Sequence, residues 1–146
     1  MLTHTAEYAL RVVLHIAGAG GEAPVRVDSA AEALEIPRNY LSKVMHTLAR
    51  TGVLHSTRGP HGGFTLARPA AQITLAQVIE HFDPIEDRCL LMQRRCSDAS
   101  PCIAHHEWKH VAVQLRSFFR DTSVADLVRG SASSLPPGSP WFPPAR

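Results

Sequence analysis

The sequence predicts a mainly α-helical chain with one small β-hairpin and a long C-terminal helix. Apolar residues recur at helical spacing in several segments, which begin at capping motifs or end at glycines. The glycine-rich turn RGPHGG separates two short strand-like runs, 53–57 and 63–67, as in a hairpin. A last apolar stripe runs from Trp108 to Phe119 with the spacing of one long amphipathic helix.

Three helices are predicted ahead of the hairpin. The first covers 2–17 and ends at the glycines of AGAGG. Ser29 and Glu32 match a capping box, which predicts a short helix over 30–35. Pro37 suits the first turn of the third helix, where its missing N–H costs no hydrogen bond. The buried face of that third helix is predicted to consist of Leu41, Val44, Met45 and Leu48.

Beyond the hairpin, Thr74 and Gln77 form a second capping-box pattern ahead of a short helix. Residues 83–101 show little periodicity and contain cysteines, so we expect a loop there. We expect Pro101 to begin the last long helix and Ser123 to cap one further short helix. The tail, 130–146, is rich in Pro, Gly and Ser and is predicted to be disordered.

Charge is distributed unevenly along the chain. The formal net charge is only +2, yet the segment 36–79 contains no Asp or Glu and carries five Lys or Arg residues and three histidines. An acid-free basic segment is typical of a face that binds nucleic acid, although a solvated face with few acids would give the same count. The order helix, short helix, helix, hairpin is that of a winged helix-turn-helix domain. The start does not resemble a signal peptide, and no apolar stretch approaches the ~18 residues that span a bilayer. We therefore expect a cytoplasmic protein.

The third helix and the hairpin tip supply the predicted DNA contacts. In a winged helix the third helix enters the major groove, where Arg and Lys donate to guanine and Asn pairs with adenine. Arginine at a glycine-rich wing tip suits a narrow minor groove, although an ordinary tight hairpin could also expose one. The predicted DNA-binding residues are Arg38, Asn39, Tyr40, Ser42, Lys43 and His46 on the helix, with Arg58, His61, Gly62 and Gly63 on the wing.

Three cysteines and a histidine lie close together along the chain: Cys89, Cys96, Cys102 and His105. An odd number of cysteines in a chain expected to be cytoplasmic argues against structural disulfides. A zinc site is an alternative, but zinc sites usually contain a C-x2–4-C pair, and the gaps between the cysteines are six and five residues. Thiolates also hold iron–sulfur clusters, and Arg88, Arg94 and Arg95 could offset the negative charge of one. Idle or reactive surface thiols are the remaining interpretation.

The combined pattern resembles the Rrf-type winged-helix regulators, the family that includes IscR and NsrR. The resemblance covers residues 1–128 and rests on LTHTAEYALRVVLHIA, IPRNYLSKVMHTLARTGVLHSTRGPHGGFTLARP, ITLAQVIEHFD, the cysteine loop and TSVADLV. It implies a homodimer joined mainly by the long helix, and an iron–sulfur cluster of two or four irons on the three cysteines. The fourth ligand would be His105 in IscR-like members, or Glu7 of the other subunit in NsrR-like members. His106 and His110 are weaker candidates.

The choice between the two fourth-ligand candidates rests on spacing. If Pro101 begins the long helix, Cys102 and His105 lie three residues apart on one helical face, which favours the histidine. Glu7 would have to arrive from another element or from the other subunit, which would couple the cluster to the DNA-binding half.

These inferences divide the chain into four segments. They are a winged helix-turn-helix DNA-binding domain at 1–82, a cluster-binding loop at 83–104, a dimerisation helix with a short terminal helix at 105–129, and the tail at 130–146. The wide apolar face of the long helix needs a partner, and a two-fold dimer matches a palindromic operator. The predicted interface residues are Trp108, Val111, Leu115, Phe118 and Phe119.

The function expected from this sequence is DNA-binding transcription regulation, as a repressor. The protein would sense redox state, nitric oxide or iron–sulfur status through the bound cluster. Alternatives are a regulator that uses the three cysteines as a zinc site or a thiol redox switch, and an iron–sulfur carrier, which would not need a winged helix. An enzyme is not expected, because the sequence has no C-x-x-C motif, nucleophile–base constellation or glycine-rich phosphate loop.

Overall fold

The structure is a computed structural model that describes residues 2–84, 89–91 and 96–131. Its elements, in chain order, are α1 (His4–Gly18), α2 (Val27–Leu34), α3 (Arg38–Arg50), β1 (Leu54–Thr57), β2 (Gly63–Leu66), α4 (Leu75–Ile79), α5 (His105–Asp121) and α6 (Val124–Ser131), with one 3-10 turn, Ala70–Gln72, before α4. This is the predicted winged helix-turn-helix order followed by a long helix. The predicted charge-offsetting residues Arg88, Arg94 and Arg95 and the tail residues 132–146 lie outside the described residues.

Helix α2 begins earlier than its sequence pattern predicts, and the predicted Ser29 capping box is wrong. Val25 pairs with Phe64 of β2 through two backbone hydrogen bonds of 2.9 Å, which keeps the chain extended up to Arg26. The helix starts immediately afterwards, at Val27, so Ser29 lies inside its first turn rather than at its cap. The pairing partner is more than thirty residues away along the chain, and local spacing does not reveal it.

Helix α3 and the wing follow the prediction closely. Pro37 stands just ahead of the first helical residue. After the C-cap residue Thr51, Gly52 adopts a φ of +77°, as the left-handed residue that follows a helix should. Strands β1 and β2 pair antiparallel with Leu54 opposite Leu66 and Thr57 opposite Gly63. The wing therefore extends outward from the end of α3.

The capping motifs of α4 and α6 are confirmed. Thr74 Oγ1 accepts a hydrogen bond from the Gln77 N–H at 3.3 Å, and Gln77 Oε1 accepts one from the Thr74 N–H at 3.1 Å. Ser123 Oγ accepts from the Asp126 N–H at 3.2 Å at the start of α6. That helix continues to Ser131, so residue 130, where the tail was predicted to begin, is helical.

Helix α5 begins at His105, and the prediction that Pro101 begins it is wrong. The N–H of Cys102 lies 3.3 Å from Cys96 Sγ, and the carbonyl of Cys102 accepts from the His105 N–H at 3.0 Å. These two bonds form a turn that precedes the helix. Cys102 and His105 therefore do not share a helical face. The turn, rather than the helix, determines how close their side chains lie.

The core combines segments from both ends of the described chain. Helices α1, α3, α4 and α6 all contribute fully buried residues, including Val12, Leu41, Ile79 and Val124. Two backbone hydrogen bonds join the entry to α4 with the exit from α5: Leu75 N–H to Thr122 O at 3.0 Å and Val124 N–H to Ile73 O at 2.8 Å. In the described parts of the chain, no helix is long and apolar enough to cross a membrane.

Candidate DNA interface and metal centre

The N-terminal half of α3 and the wing form one continuous surface. Asn39 and Lys43 are exposed on α3, and Ser42 is partly so. A hollow of about 180 Å³ lies between the start of α3 and the wing, lined by residues that include Arg26, Arg38 and Gly62. The predicted helix and wing contacts therefore stand side by side, as simultaneous contact with one DNA duplex requires.

Two of the predicted α3 contacts are held by neighbours within the chain. Arg38 Nε forms an ion pair with Asp28 of α2, although both side chains remain more than half exposed. His46 stacks edge-on against Phe64 of the wing, with ring centroids 5.2 Å apart, and its Nδ1 lies 2.7 Å from the Ser42 carbonyl oxygen. These contacts fix where the basic groups lie relative to the wing.

Tyr40 connects the recognition helix to α1. Its hydroxyl is hydrogen-bonded to Thr5 Oγ1, and its ring meets that of Tyr8 edge-on at 5.6 Å between centroids. The ring remains 42% exposed. Tyr40 thus links the predicted DNA-binding surface to the first turns of α1.

The wing tip needs glycine at two positions. A Cβ on Gly62 would lie 2.1 Å from the Thr57 carbonyl oxygen, and one on Gly63, whose φ is +155°, would lie 2.8 Å from the Val25 carbonyl oxygen. Arg58 and His61 are exposed on this tip. Sequence analysis missed Arg26, whose guanidinium donates to the Pro60 carbonyl at 3.5 Å; only its basic charge ahead of α2 could have indicated it.

The second candidate site consists of the three cysteines. The Sγ atoms of Cys89, Cys96 and Cys102 all lie within 4.8 Å of one another, with Cys89 buried and the other two partly buried. The Cys89 and Cys102 sulfurs are 3.4 Å apart. Their hydrogen bond is the main cause that raises the pKa of Cys102, and burial raises it further. Residues from two sides of the loop and from the turn before α5 thus converge on one point.

His105 is the first residue of α5 and faces the same point. Its Nδ1 lies 3.0 Å from Cys96 Sγ, and its Nε2 lies 2.8 Å from Asp98 Oδ1. Lys109 Nζ lies 2.8 Å from both oxygens of that carboxylate. Hydrogen bonds from Lys109, and then from His105, lower the pKa of Asp98 to about 2. Sequence analysis missed both Asp98 and Lys109. The i, i+4 spacing from His105 could have indicated Lys109, whereas no local pattern marks Asp98.

The other histidines and the predicted acid are placed differently. Glu7 lies on α1, half exposed, with Arg11 Nη1 at 3.8 Å and His4 Nδ1 at 3.7 Å from its carboxylate. His106 and His110 are exposed on α5. Within one chain, the structure brings His105 to the cysteines and leaves Glu7 among its helical neighbours.

Helix α5 exposes several large apolar side chains along one side. Val111, Leu115 and Phe118 are 49%, 39% and 48% exposed, while Trp108 is partly buried. Phe119, whose ring centroid lies 5.4 Å from that of Phe118, is only 8% exposed and belongs to the chain's own core. The exposed stripe follows i, i+4, i+7 spacing, so its members share one side of the helix.

The chain matches a known protein family over most of its length. The sequence model of the family Rrf2, described as an iron-dependent transcriptional regulator, matches residues 2–130. The chain belongs to the Rrf2 family. Two members of similar sequence are the following. A protein of Aquifex aeolicus inferred to be an HTH-type transcriptional regulator is 37% identical over 95% of this chain and 99% of its own length. The HTH-type transcriptional regulator IscR of Xenorhabdus nematophila is 30% identical over 88% of this chain and 79% of its own.

Solved structures of Rrf2-type regulators share the fold. CymR, the global cysteine regulator of B. subtilis, superposes with a TM-score of 0.76 at 19% identity, covering 89% of this chain and 97% of its own. IscR of T. potens gives a TM-score of 0.72 at 20% identity, covering 97% and 96%. The family model and the two sequence relatives describe transcriptional regulators rather than enzymes, and this Rrf2 protein is a DNA-binding regulator of transcription.

Proposed function

We propose that this Rrf2-family regulator holds an iron–sulfur cluster on Cys89, Cys96, Cys102 and His105, and that the cluster's state sets its affinity for a palindromic operator. The observation that carries the proposal is the convergence of three sulfurs within 4.8 Å of one another, with His105 Nδ1 3.0 Å from one of them. The protein would act in the cytoplasm, where its DNA target lies, as a repressor.

The donor set fits this group. Three thiolates and one imidazole are soft and intermediate ligands of the kind that iron–sulfur centres use, and imidazole ligation raises their reduction potential. The description of the family as iron-dependent favours iron over zinc. A cluster of two or four irons would supply one-electron redox chemistry and reactivity toward oxidants or nitric oxide. The chain's own part is to gather the ligands and relay their arrangement to the DNA surface.

Two contacts support such a relay. The Thr3 N–H, just ahead of α1, donates to Asp83 Oδ2 at 2.7 Å, so the chain entering the cysteine segment is bonded to the start of α1. Two residues further along, Thr5 bonds to Tyr40 of the recognition helix. A rearrangement around the cysteines would therefore reach α3 through the first turn of α1.

The proposed assembly is a homodimer formed through the apolar stripe of α5. Val111, Leu115 and Phe118 are exposed on one side of that helix, where a second copy would cover them. A two-fold dimer places two recognition helices in successive major grooves and thereby requires a palindromic operator. Phe119 is left out of this interface because it packs within the chain.

The test is anaerobic reconstitution with iron and sulfide, followed by iron analysis, visible absorption and Mössbauer spectra. Each Cys→Ala variant should lose the cluster absorption, and His105→Ala should change the spectrum. His106→Ala is the matched control, because that histidine is adjacent but exposed. Operator affinity, measured by fluorescence anisotropy with and without cluster, should differ. A chain that takes up no iron, or binds the operator equally in both states, would contradict the proposal.

A thiol switch is the second candidate, favoured by the 3.4 Å separation of the Cys89 and Cys102 sulfurs. Its chemistry would join these sulfurs, releasing two protons and passing two electrons to an oxidant such as hydrogen peroxide. Mass spectrometry of alkylated peptides would detect this disulfide after peroxide treatment of the iron-free protein. Loss of operator binding upon disulfide formation in a protein that never takes up iron would favour the switch. Tight zinc retention with unchanged redox response would favour a zinc site.

A further inference from the structure

We propose that Asp98, held in place by Lys109, is a positioning residue that presents Nδ1 of His105, rather than Nε2, to the cysteine site. This inference rests on the proposed role of His105 as a cluster ligand and adds which nitrogen binds and what orients it. Asp98 contacts the histidine and Lys109 contacts Asp98, so both would act through the histidine.

The two faces of the imidazole have different partners. His105 is only 11% exposed at its side chain, with Nδ1 3.0 Å from Cys96 Sγ and Nε2 2.8 Å from Asp98 Oδ1. An ionised carboxylate can only accept hydrogen bonds, so Nε2 carries the hydrogen in this contact. In the neutral form of the ring, the form that can bind a metal, the lone pair then lies on Nδ1, directed toward the cysteines. The tautomer and the ring orientation follow from a single hydrogen bond.

Asp98 is itself exposed, and Lys109 supplies what holds it. The carboxylate side chain is 73% exposed, which would leave an isolated aspartate free to rotate. Lys109 lies one helical turn after His105 on α5, and its Nζ is 2.8 Å from both Asp98 oxygens. The turn that carries Asp98 is closed by a hydrogen bond from the Ser100 N–H to the Ser97 carbonyl at 3.0 Å. The turn that carries Asp98 and the Lys109 side chain of α5 thus hold the carboxylate against Nε2 of His105.

This arrangement has the form of the outer-shell carboxylates that orient metal-bound histidines. Such a partner fixes the tautomer and increases the electron donation of the imidazole, and its loss typically costs about 10- to 100-fold in metal affinity. Here the carboxylate, the histidine and the lysine that hold one another all belong to the chain itself. The histidine would therefore be oriented before the cluster arrives.

The decisive experiment identifies the ligating nitrogen directly. Protein is reconstituted with histidine labelled with ¹⁵N at Nδ1 or at Nε2, and the reduced cluster is examined by pulsed EPR. The stronger nitrogen coupling should come from Nδ1. Stronger coupling from Nε2 would overturn the inference while leaving His105 a ligand. Absence of any histidine coupling in a protein that holds a cluster would overturn both the histidine ligand and this inference.

A variant series then tests Asp98 and Lys109. Asp98→Ala should release iron to a chelator ~10-fold faster than the unmodified protein. Asp98→Glu should restore much of the difference, because a carboxylate returns. Lys109→Met should have the same effect to a smaller extent. Glu107→Ala, which removes an exposed carboxylate from the first turn of the same helix, is the matched control and should change nothing.

The protein without cluster gives an independent reading. NMR of the ¹⁵N-histidine-labelled apoprotein should show His105 protonated at Nε2, with a proton resonance that exchanges slowly with water. Asp98→Ala should abolish that slow exchange, and Asp98→Asn, whose amide oxygen still accepts, should retain part of it. Unchanged exchange and unchanged chelation rates in Asp98→Ala would refute the positioning role. Failure of all variants and of the unmodified protein to take up iron would instead refute the proposed function.

Discussion

The wing offers a prediction whose size follows from the structure. In Gly62→Ala, the added Cβ would lie 2.1 Å from the Thr57 carbonyl oxygen and 2.8 Å from the Arg58 carbonyl carbon, where contacts below 3.0 Å essentially do not occur. Both clashing atoms are backbone, so no side-chain rotation relieves them. The backbone of Thr57 and Arg58, at the end of β1, must therefore shift. Crowding of this kind costs about 1–3 kcal/mol.

The cost should be seen in DNA binding more than in folding. Gly62 itself is buried, but Arg58 is exposed, so the free protein can relax by displacing Arg58, and the bound protein has to restore its position. A cost of about 1–3 kcal/mol corresponds to a roughly 5- to 150-fold weaker operator affinity. The measurement is fluorescence anisotropy with operator DNA, beside thermal unfolding of the same samples.

The control is Gly130→Ala on α6, where an added Cβ meets no heavy atom within 4 Å. That variant should match the unmodified protein in operator affinity. If Gly62→Ala binds the operator within twofold of the unmodified protein, the wing does not contact DNA in the geometry described. If it unfolds instead, the wing is more tightly coupled to the core than its exposure indicates.

Four further predictions concern other parts of the chain. Arg58→Ala should weaken operator binding and leave the iron content unchanged. The slope of log affinity against log salt should become shallower by about 0.9 for each phosphate that the variant no longer neutralises. An unaltered salt titration would refute the wing contact. Leu115→Glu should give monomers in analytical ultracentrifugation, and a variant that stays dimeric would exclude the α5 stripe as the interface. Phe119→Ala should lower the free energy of unfolding by about 3–5 kcal/mol, measured in urea, because this ring is only 8% exposed. Burial lowers the pKa of His15 below its usual 6.5, so the unfolded chain binds that proton more readily, and stability should fall as pH drops below 6.5. His15→Leu should show a weaker fall between pH 7.5 and 5.5, and equal slopes would refute the assignment.

The parts of the fold that sequence predicts well are those decided by local chemistry. The box of Thr74 and Gln77 forms because both partners lie within one helical turn, so spacing alone specifies it. Ser29 and Glu32 offer the same pattern, but the strand-like pairing of Val25 with Phe64 sets the start of α2 two residues before Ser29. The pairing with a residue distant in sequence overrides the local capping motif, and no residue near Ser29 indicates that pairing.

The cysteine site shows the same division. Residue type and spacing are enough to select Cys89, Cys96, Cys102 and His105, which the structure does bring together. The expected reason for the histidine's position, a shared helical face, is wrong, because α5 begins only at His105. Asp98 could not be identified from sequence, because its proposed role depends on the path of the loop between Cys96 and Cys102. An acidic residue in a loop follows no periodic pattern, so the sequence does not distinguish Asp98 from an acidic residue that only contacts solvent.

Two backbone hydrogen bonds join Ile73 and Leu75, at the entry to α4, to the chain that leaves α5. They bring the two ends of the intervening segment together. The cysteine segment and the long helix form an excursion that departs from the DNA-binding core after α4 and returns beside the entry to α4. Val124, fully buried in that core, comes after the excursion, so the DNA-reading half is assembled from both sides of it. Because both ends of the excursion are bonded at one place, a shorter or longer excursion could be joined to the same core. One DNA-reading body can then be fitted with different receptors for different signals.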